Sequence, residues 1–276
     1  ALFLNGAADL TAGTYEIASK KTINFAGKTI EGATIFVNGG CTMQYDKDTQ
    51  MTNTTIVLKS SATLEYNNSD GTGVMIPEGC TIYCTNPKNN VVAKGLIKID
   101  GNLYADFRGK TSQDKDLSTG LGAIKETSSE EKEKSITPTQ DITFGPNANV
   151  YINGSIRAIN LNVESGANVY AAGNLFNNDA NGNSTINGNL WVKGFVKART
   201  LDVNGYLKSE TAIKVTNQFN VNNGANVEAS YINVTNNTKD GQKVIEKGEA
   251  TLTLNGTGKI TIGNKNVITA NNLVTD

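Results

Sequence analysis

Short runs of alternating apolar and polar residues cross this chain about every twenty residues. Each is entered through a turn of Asn, Gly, Ser or Pro and then a small residue. The runs read Val37-Asn-Gly-Gly-Cys41-Thr-Met43, Leu58-Lys-Ser-Ser-Ala62-Thr-Leu64 and Ile76-Pro-Glu-Gly-Cys80-Thr-Ile82. The phrase resumes as Phe144-Gly-Pro-Asn-Ala148-Asn-Val150, Val163-Glu-Ser-Gly-Ala167-Asn-Val169 and Val221-Asn-Asn-Gly-Ala225-Asn-Val227. A shorter form drops two turn residues, as in Ile99-Asp-Gly101-Asn-Leu103 and Val203-Asn-Gly205-Tyr-Leu207. Alternation over so few residues predicts strands, and its return at a near-fixed period predicts a β-solenoid.

Taking the last aliphatic residue of each phrase as an anchor gives one expected column: Ile23, Met43, Leu64, Ile82, Leu103, Val150, Val169, Leu190, Leu207, Val227 and Ile260. Side chains alternate faces along a strand, so the residues two before and two after each anchor point inward with it. Those before are small (Cys41, Ala62, Cys80, Gly101, Ala148), as stacking in a narrow interior requires. The residue after each anchor then points outward. At that position five successive coils carry Tyr83, Tyr104, Tyr151, Tyr170 and Trp191, the last being the chain's single Trp. At one coil per ~4.8 Å these five would form a strip about 20 Å long.

Most steps between anchors lie between 17 and 21 residues, too uneven for the strict hexapeptide repeat of a left-handed β-helix. The expected fold is therefore all-β: a single right-handed parallel β-helix of roughly eleven coils over residues 1–276. Residues 1–20 are its expected N-terminal cap, 108–140 an inserted charged loop, and 236–247 a minor insertion. The runs Lys21-Thr-Ile-Asn-Phe-Ala-Gly-Lys-Thr-Ile30 and Leu201-Asp-Val-Asn-Gly-Tyr-Leu-Lys208 resemble coils of pectate-lyase-like β-helix proteins. The resemblance implies that architecture over most of the chain, and it brings no catalytic motif.

Composition narrows the chemistry. The 276 residues carry a net charge of −1, with 28 Gly, four Pro, no His, and Asn at roughly one residue in seven. Near-neutral charge offers no electrostatic basis for nucleic acid as a partner. No apolar run is long enough to predict a membrane span. The absence of His removes Ser-His-Asp and Cys-His catalysis and every His-ligated metal site. The acidic pairs Asp46/Asp48 and Asp114/Asp116 are weak ligand patterns. Arg108, beside Phe107, could act as a lyase base but has no constellation around it. No catalytic residue, metal site or cofactor is therefore expected. Cys41, Cys80 and Cys84 read as small buried thiols: if Cys41 and Cys80 sit two coils apart in one column, they lie ~10 Å apart, beyond disulfide reach.

Two long anchor steps contain charged stretches. The first holds the Lys- and Glu-rich run 126–134, which cannot bury a coil face. It is expected as a surface loop, or as an arm folding beside the aromatic strip. The opening Ala1-Leu-Phe-Leu lacks the charged and long apolar regions of a signal peptide, and export or display at a cell surface is expected from composition.

The functional expectation is a non-enzymatic scaffold or adhesin-like module. Its candidate partner is polysaccharide along Tyr83, Tyr104, Tyr151, Tyr170 and Trp191, or another cell-surface protein. A polysaccharide lyase or hydrolase and an end-to-end filament subunit are the alternatives.

Overall fold

The computed structural model describes residues 1–107, 120–127, 135–240, 243–246 and 248–276. Among these the regular structure is all β, without a helix, and its strands build extensive parallel sheet consistent with a solenoid. The chain divides into two compact units, Ala1–Leu121 with Asp141–Gly154, and Gly122–Gln140 with Ser155–Asp276. Among the described residues, pairing within each unit is parallel except in two antiparallel hairpins, both in the second unit.

The first unit contains three sets of strands. Its first ladder stacks Leu2–Phe3, Gly13–Ile17, Ala33–Val37, Thr55–Leu58, Thr81–Cys84, Asn102–Asp106 and Asn149–Asn153. The second stacks Thr22–Asn24, Thr42–Asp46, Thr63–Asn68 and Asn90–Gly95. The third pairs Thr29–Glu31 with Gln50–Thr52 and Ile97–Ile99 with Ile142–Phe144. Period-two alternation sends Ile35, Ile56, Ile82, Leu103 and Val150 of the first ladder inward, and all five are buried. Burial of each contributes about 1.5–3 kcal/mol. The small column beside them is required by space: a Cβ at Gly101 would strike the carbonyl oxygens of Pro77 and Cys80.

This register corrects the single anchor column. Ile23, Met43 and Leu64 stack on the second ladder and lead to Val91, whereas Ile82 lies against Ile56 in the first. Thr81 pairs with Thr55 and does not follow Thr63. Cys41 and Cys80 consequently occupy different columns, so the distance expected from a shared column does not apply. All three cysteines are free and buried.

The physical reason is that one turn phrase serves two corners. Leu58-to-Leu64 joins the first ladder to the second, while Ile76-to-Ile82 joins the third to the first. Both close with the same hydrogen bond, Ala62 N–H to the Lys59 carbonyl (2.9 Å) and Cys80 N–H to the Pro77 carbonyl (3.0 Å). Local chemistry cannot tell the two apart. Pairing between strands can.

Inside the second ladder Tyr45 and Tyr66 lie with ring centroids 4.8 Å apart. The Tyr45 hydroxyl donates to the Met75 carbonyl at 2.6 Å, while the buried Tyr66 hydroxyl has no partner among the described residues. Burial raises both phenol pKa values.

The second unit keeps three ladders in step. The first contains Asn168–Ala171, Asn189–Val192 and Tyr206–Ser209, and continues into Asn226–Val234 and Lys259–Ala270. Here the anchor column holds, with Val169, Leu190, Leu207, Val227 and Ile260 in direct register. The second ladder runs from Ser155–Arg157 through Leu175–Asn177 and Val196–Val203. The third runs from Leu161–Val163 through Asn183–Ile186 to Thr251–Leu254 and Asn272–Thr275.

One corner of this unit carries an asparagine ladder. The amides of Asn204, Asn222 and Asn255 donate to Asn187, Asn204 and Asn222 at 2.8, 2.9 and 2.8 Å. Each side chain thereby satisfies the one beneath it, as stacked amide ladders do.

The described part of the 108–140 stretch includes a hairpin of Ile124–Thr127 against Ser135–Pro138. It is tied to the second ladder of its unit, on which Tyr170 and Trp191 do not lie. Arg157 Nε donates to the Gly122 carbonyl (3.0 Å), and Ile159 N–H to the Gln140 carbonyl (2.8 Å). Alternation points Phe176 outward, yet it is only 5% exposed. The 236–247 stretch contains the other hairpin, Thr238–Asp240 against Lys243–Glu246. Arg108, Asp114, Asp116 and residues 128–134 lie outside the described residues. Among the described residues no helix is long and apolar enough to cross a membrane.

Candidate functional site

The outward column of each first ladder gathers the five aromatic candidates, three in one unit and two in the other. In the first unit the register runs Phe3, Glu16, Phe36, Val57, Tyr83, Tyr104, Tyr151. Tyr83, Tyr104 and Tyr151 are 37%, 39% and 47% exposed, so about two-fifths of each side chain faces solvent. Phe36 and Val57, half-buried, extend the tyrosines into an apolar stripe about 19 Å long from Phe36 to Tyr151. The sequence reading missed Phe36 and Val57 because the anchor column placed Gln44 and Glu65 there. Those two side chains lie on the second ladder, where the Gln44 amide donates to Glu65 at 2.6 Å.

Tyr83 and Tyr104 have centroids 5.2 Å apart and planes within 13° of parallel. Coplanar rings set edge to edge cannot approach so closely, so these overlap in an offset stack. Beside the rings Asn149 donates to Asn102 (3.3 Å) and Asn102 to Thr81 (3.2 Å), a polar row parallel to the stripe. At its other end Lys59 arches over Phe36, 5.2 Å from the ring centroid, and reaches Glu16 at 4.0 Å.

In the second unit the column reads Tyr170, Trp191, Lys208, Glu228, Thr261. Tyr170 meets Trp191 edge-on at 5.3 Å, and the Lys208 ammonium sits 4.7 Å from the Trp191 ring centroid. Trp191 is nevertheless 41% exposed. Glu228 accepts the Tyr206 hydroxyl at 2.6 Å and lies 4.0 Å from Lys208. Desolvation, reinforced by the hydrogen bond to Glu228 and its charge, pushes the Tyr206 pKa up to about 12. A cleft of about 360 Å³ opens beside this column between Lys208, Glu210, Glu228, Ser230 and Thr261. Its hydroxyls and charges suit polar ligands, while Trp191 offers a flat apolar one.

Asp46 is occupied in its own turn: its carboxylate accepts Asp48 N–H (2.9 Å) and the Thr49 hydroxyl (3.3 Å). Among the described residues no group of three or more Cys, Asp and Glu side chains is placed to hold a metal ion. Comparisons with protein-family models, curated proteins and solved structures found no match to the chain.

Proposed function

We propose that this chain is a non-enzymatic right-handed parallel β-helix, exported or displayed at a cell surface, that serves as an adhesin-like scaffold and holds polysaccharide on its outer face. The observation that carries this reading is the solvent-facing apolar stripe Phe36, Val57, Tyr83, Tyr104 and Tyr151 on the first unit. An outward strand position in a half-solvated sheet is ordinarily polar, and a row of apolar side chains there marks a contact surface. Aromatic faces pack against the apolar faces of sugar rings, and the adjacent Thr81, Asn102 and Asn149 supply hydrogen bonds to hydroxyls. In the second unit Tyr170 and Trp191 form a shorter surface of the same type.

The stripe also stabilises its own strands, since each stacked pair contributes roughly 0.5–1.5 kcal/mol. Binding and stability therefore have to be measured on the same variants. Tyr104→Ala is expected to abolish retention on a polysaccharide panel while the circular dichroism spectrum stays that of the parent. Retention unchanged by Tyr104→Ala and by Trp191→Ala would reduce the stripe to a stabilising feature. Release of shortened or unsaturated oligosaccharides from the panel would instead support the lyase or hydrolase alternative.

A further inference from the structure

Asn is followed by Gly eight times in this chain, and the structure treats these pairs unequally. The reaction available to an Asn-Gly pair needs a free Gly nitrogen and an accessible side-chain amide. At the other seven pairs either the Gly nitrogen is engaged or the Asn is partly buried. Gly188 N–H donates to the Val163 carbonyl (3.0 Å), Gly205 N–H to the Ile186 carbonyl (2.9 Å), and Gly182 N–H to the Asp179 carbonyl (3.0 Å). Gly224 N–H donates to the Thr257 hydroxyl (3.0 Å). Asn38, Asn153 and Asn255 are partly buried. Asn5–Gly6 differs: both residues are exposed, Gly6 N–H has no hydrogen bond among the described residues, and its surroundings are open. The Lys21 ammonium donates to Asn5 Oδ1 at 3.1 Å.

We propose that Asn5–Gly6 is a self-modifying site, deamidating to aspartate and isoaspartate with Lys21 as the electrophilic aid. The Gly6 backbone nitrogen, giving up its proton, attacks Asn5 Cγ, and a C–N bond forms as the carbonyl electrons move onto Oδ1. Lys21 is placed to stabilise that oxyanion, as a fixed cation does wherever negative charge develops. Collapse breaks the Cγ–Nδ2 bond and expels the amide nitrogen, which takes up the proton and leaves as ammonia. Water then opens the succinimide at either carbonyl. Attack at the Asn5 main-chain carbonyl leaves the chain running through Cγ as isoaspartate, and attack at Cγ gives aspartate. The net change is one water consumed and one ammonia released, with no oxidation or reduction. In the aspartate product the carboxylate keeps the oxygen that Lys21 already contacts, so a cation–dipole contact becomes an ion pair beside the edge strand Leu2–Phe3.

Peptide mapping of the intact protein, held at neutral pH and sampled over days, tests this. Asn5 is expected to convert at least about tenfold faster than Asn204. Lys21→Ala should slow Asn5 several-fold and leave Asn204 unchanged. Gly6→Ala, at an exposed position with room for the methyl group, should slow Asn5 further. Equal rates at Asn5 and Asn204, or an Asn5 rate indifferent to Lys21→Ala, would overturn the proposal.

Discussion

The outward columns of the two first ladders show what a strand's free face can be used for. In the first unit five successive side chains, Phe36 to Tyr151, are apolar, and Tyr83 stacks on Tyr104. In the second unit the column starts aromatic and turns ionic, with Lys208 over Trp191 and Glu228 bound by both Lys208 and Tyr206. Beneath both columns the interior is alike: a row of buried aliphatic side chains beside a row of small ones. The backbone ladder thus tolerates either exterior. The first exterior resists salt and offers apolar area, while the second is screened by salt and offers charge.

If the interiors are equivalent, Leu103→Ala in one unit and Leu190→Ala in the other should each cost about 2–5 kcal/mol. Urea denaturation of both variants checks this, and a several-fold difference between them would break the comparison. Asn204→Ala removes two rungs from the asparagine ladder and should cost about 1–2 kcal/mol. A loss below the resolution of the same assay would mean that water replaces both rungs. Tyr104→Ala should cost about 1 kcal/mol whatever the ionic strength. Lys208→Met should cost no more than about 1 kcal/mol, and only at low salt, because Lys208 is about one-third exposed. It should also change Trp191 fluorescence, since the ammonium leaves the ring.

A further effect is confined to alkaline pH. The Tyr206 pKa in the folded chain is raised from its ordinary 10.0 to about 12. The unfolded chain therefore releases this proton first, and native stability falls as pH rises between those values. Below pH 10 the contribution of Tyr206 is fully present. Titrating stability of parent and Tyr206→Phe over this range should show a steeper decline in the parent, and parallel curves would remove Tyr206 from the account.

Much of this was legible in the sequence for a simple reason. Alternation is a property of one strand, so inward and outward residues follow from period two alone. Leu103, Leu190 and Tyr104 lie on the faces their positions predict. Tyr83, Tyr104 and Tyr151 are joined correctly because one kind of corner precedes each of them. Phe36 and Val57 were hidden because their strand comes before a corner of the other kind, so reading by anchors passed over it. Arg157 was hidden too, as its clamp on Gly122 depends on a hairpin that leaves and returns to the sheet.

By itself the sequence determined the strands, their faces, the small and aliphatic rows, and the absence of any histidine chemistry. Those are local facts, set by alternation, turn residues and composition. Only the tertiary structure decided which strand lies on which: that Met43 rests against Leu64, that Ile82 rests against Ile56, and that Phe36 joins the tyrosines. A strand slipped onto the wrong neighbour keeps every local preference satisfied, and register is fixed by hydrogen bonds and packing between residues some twenty positions apart.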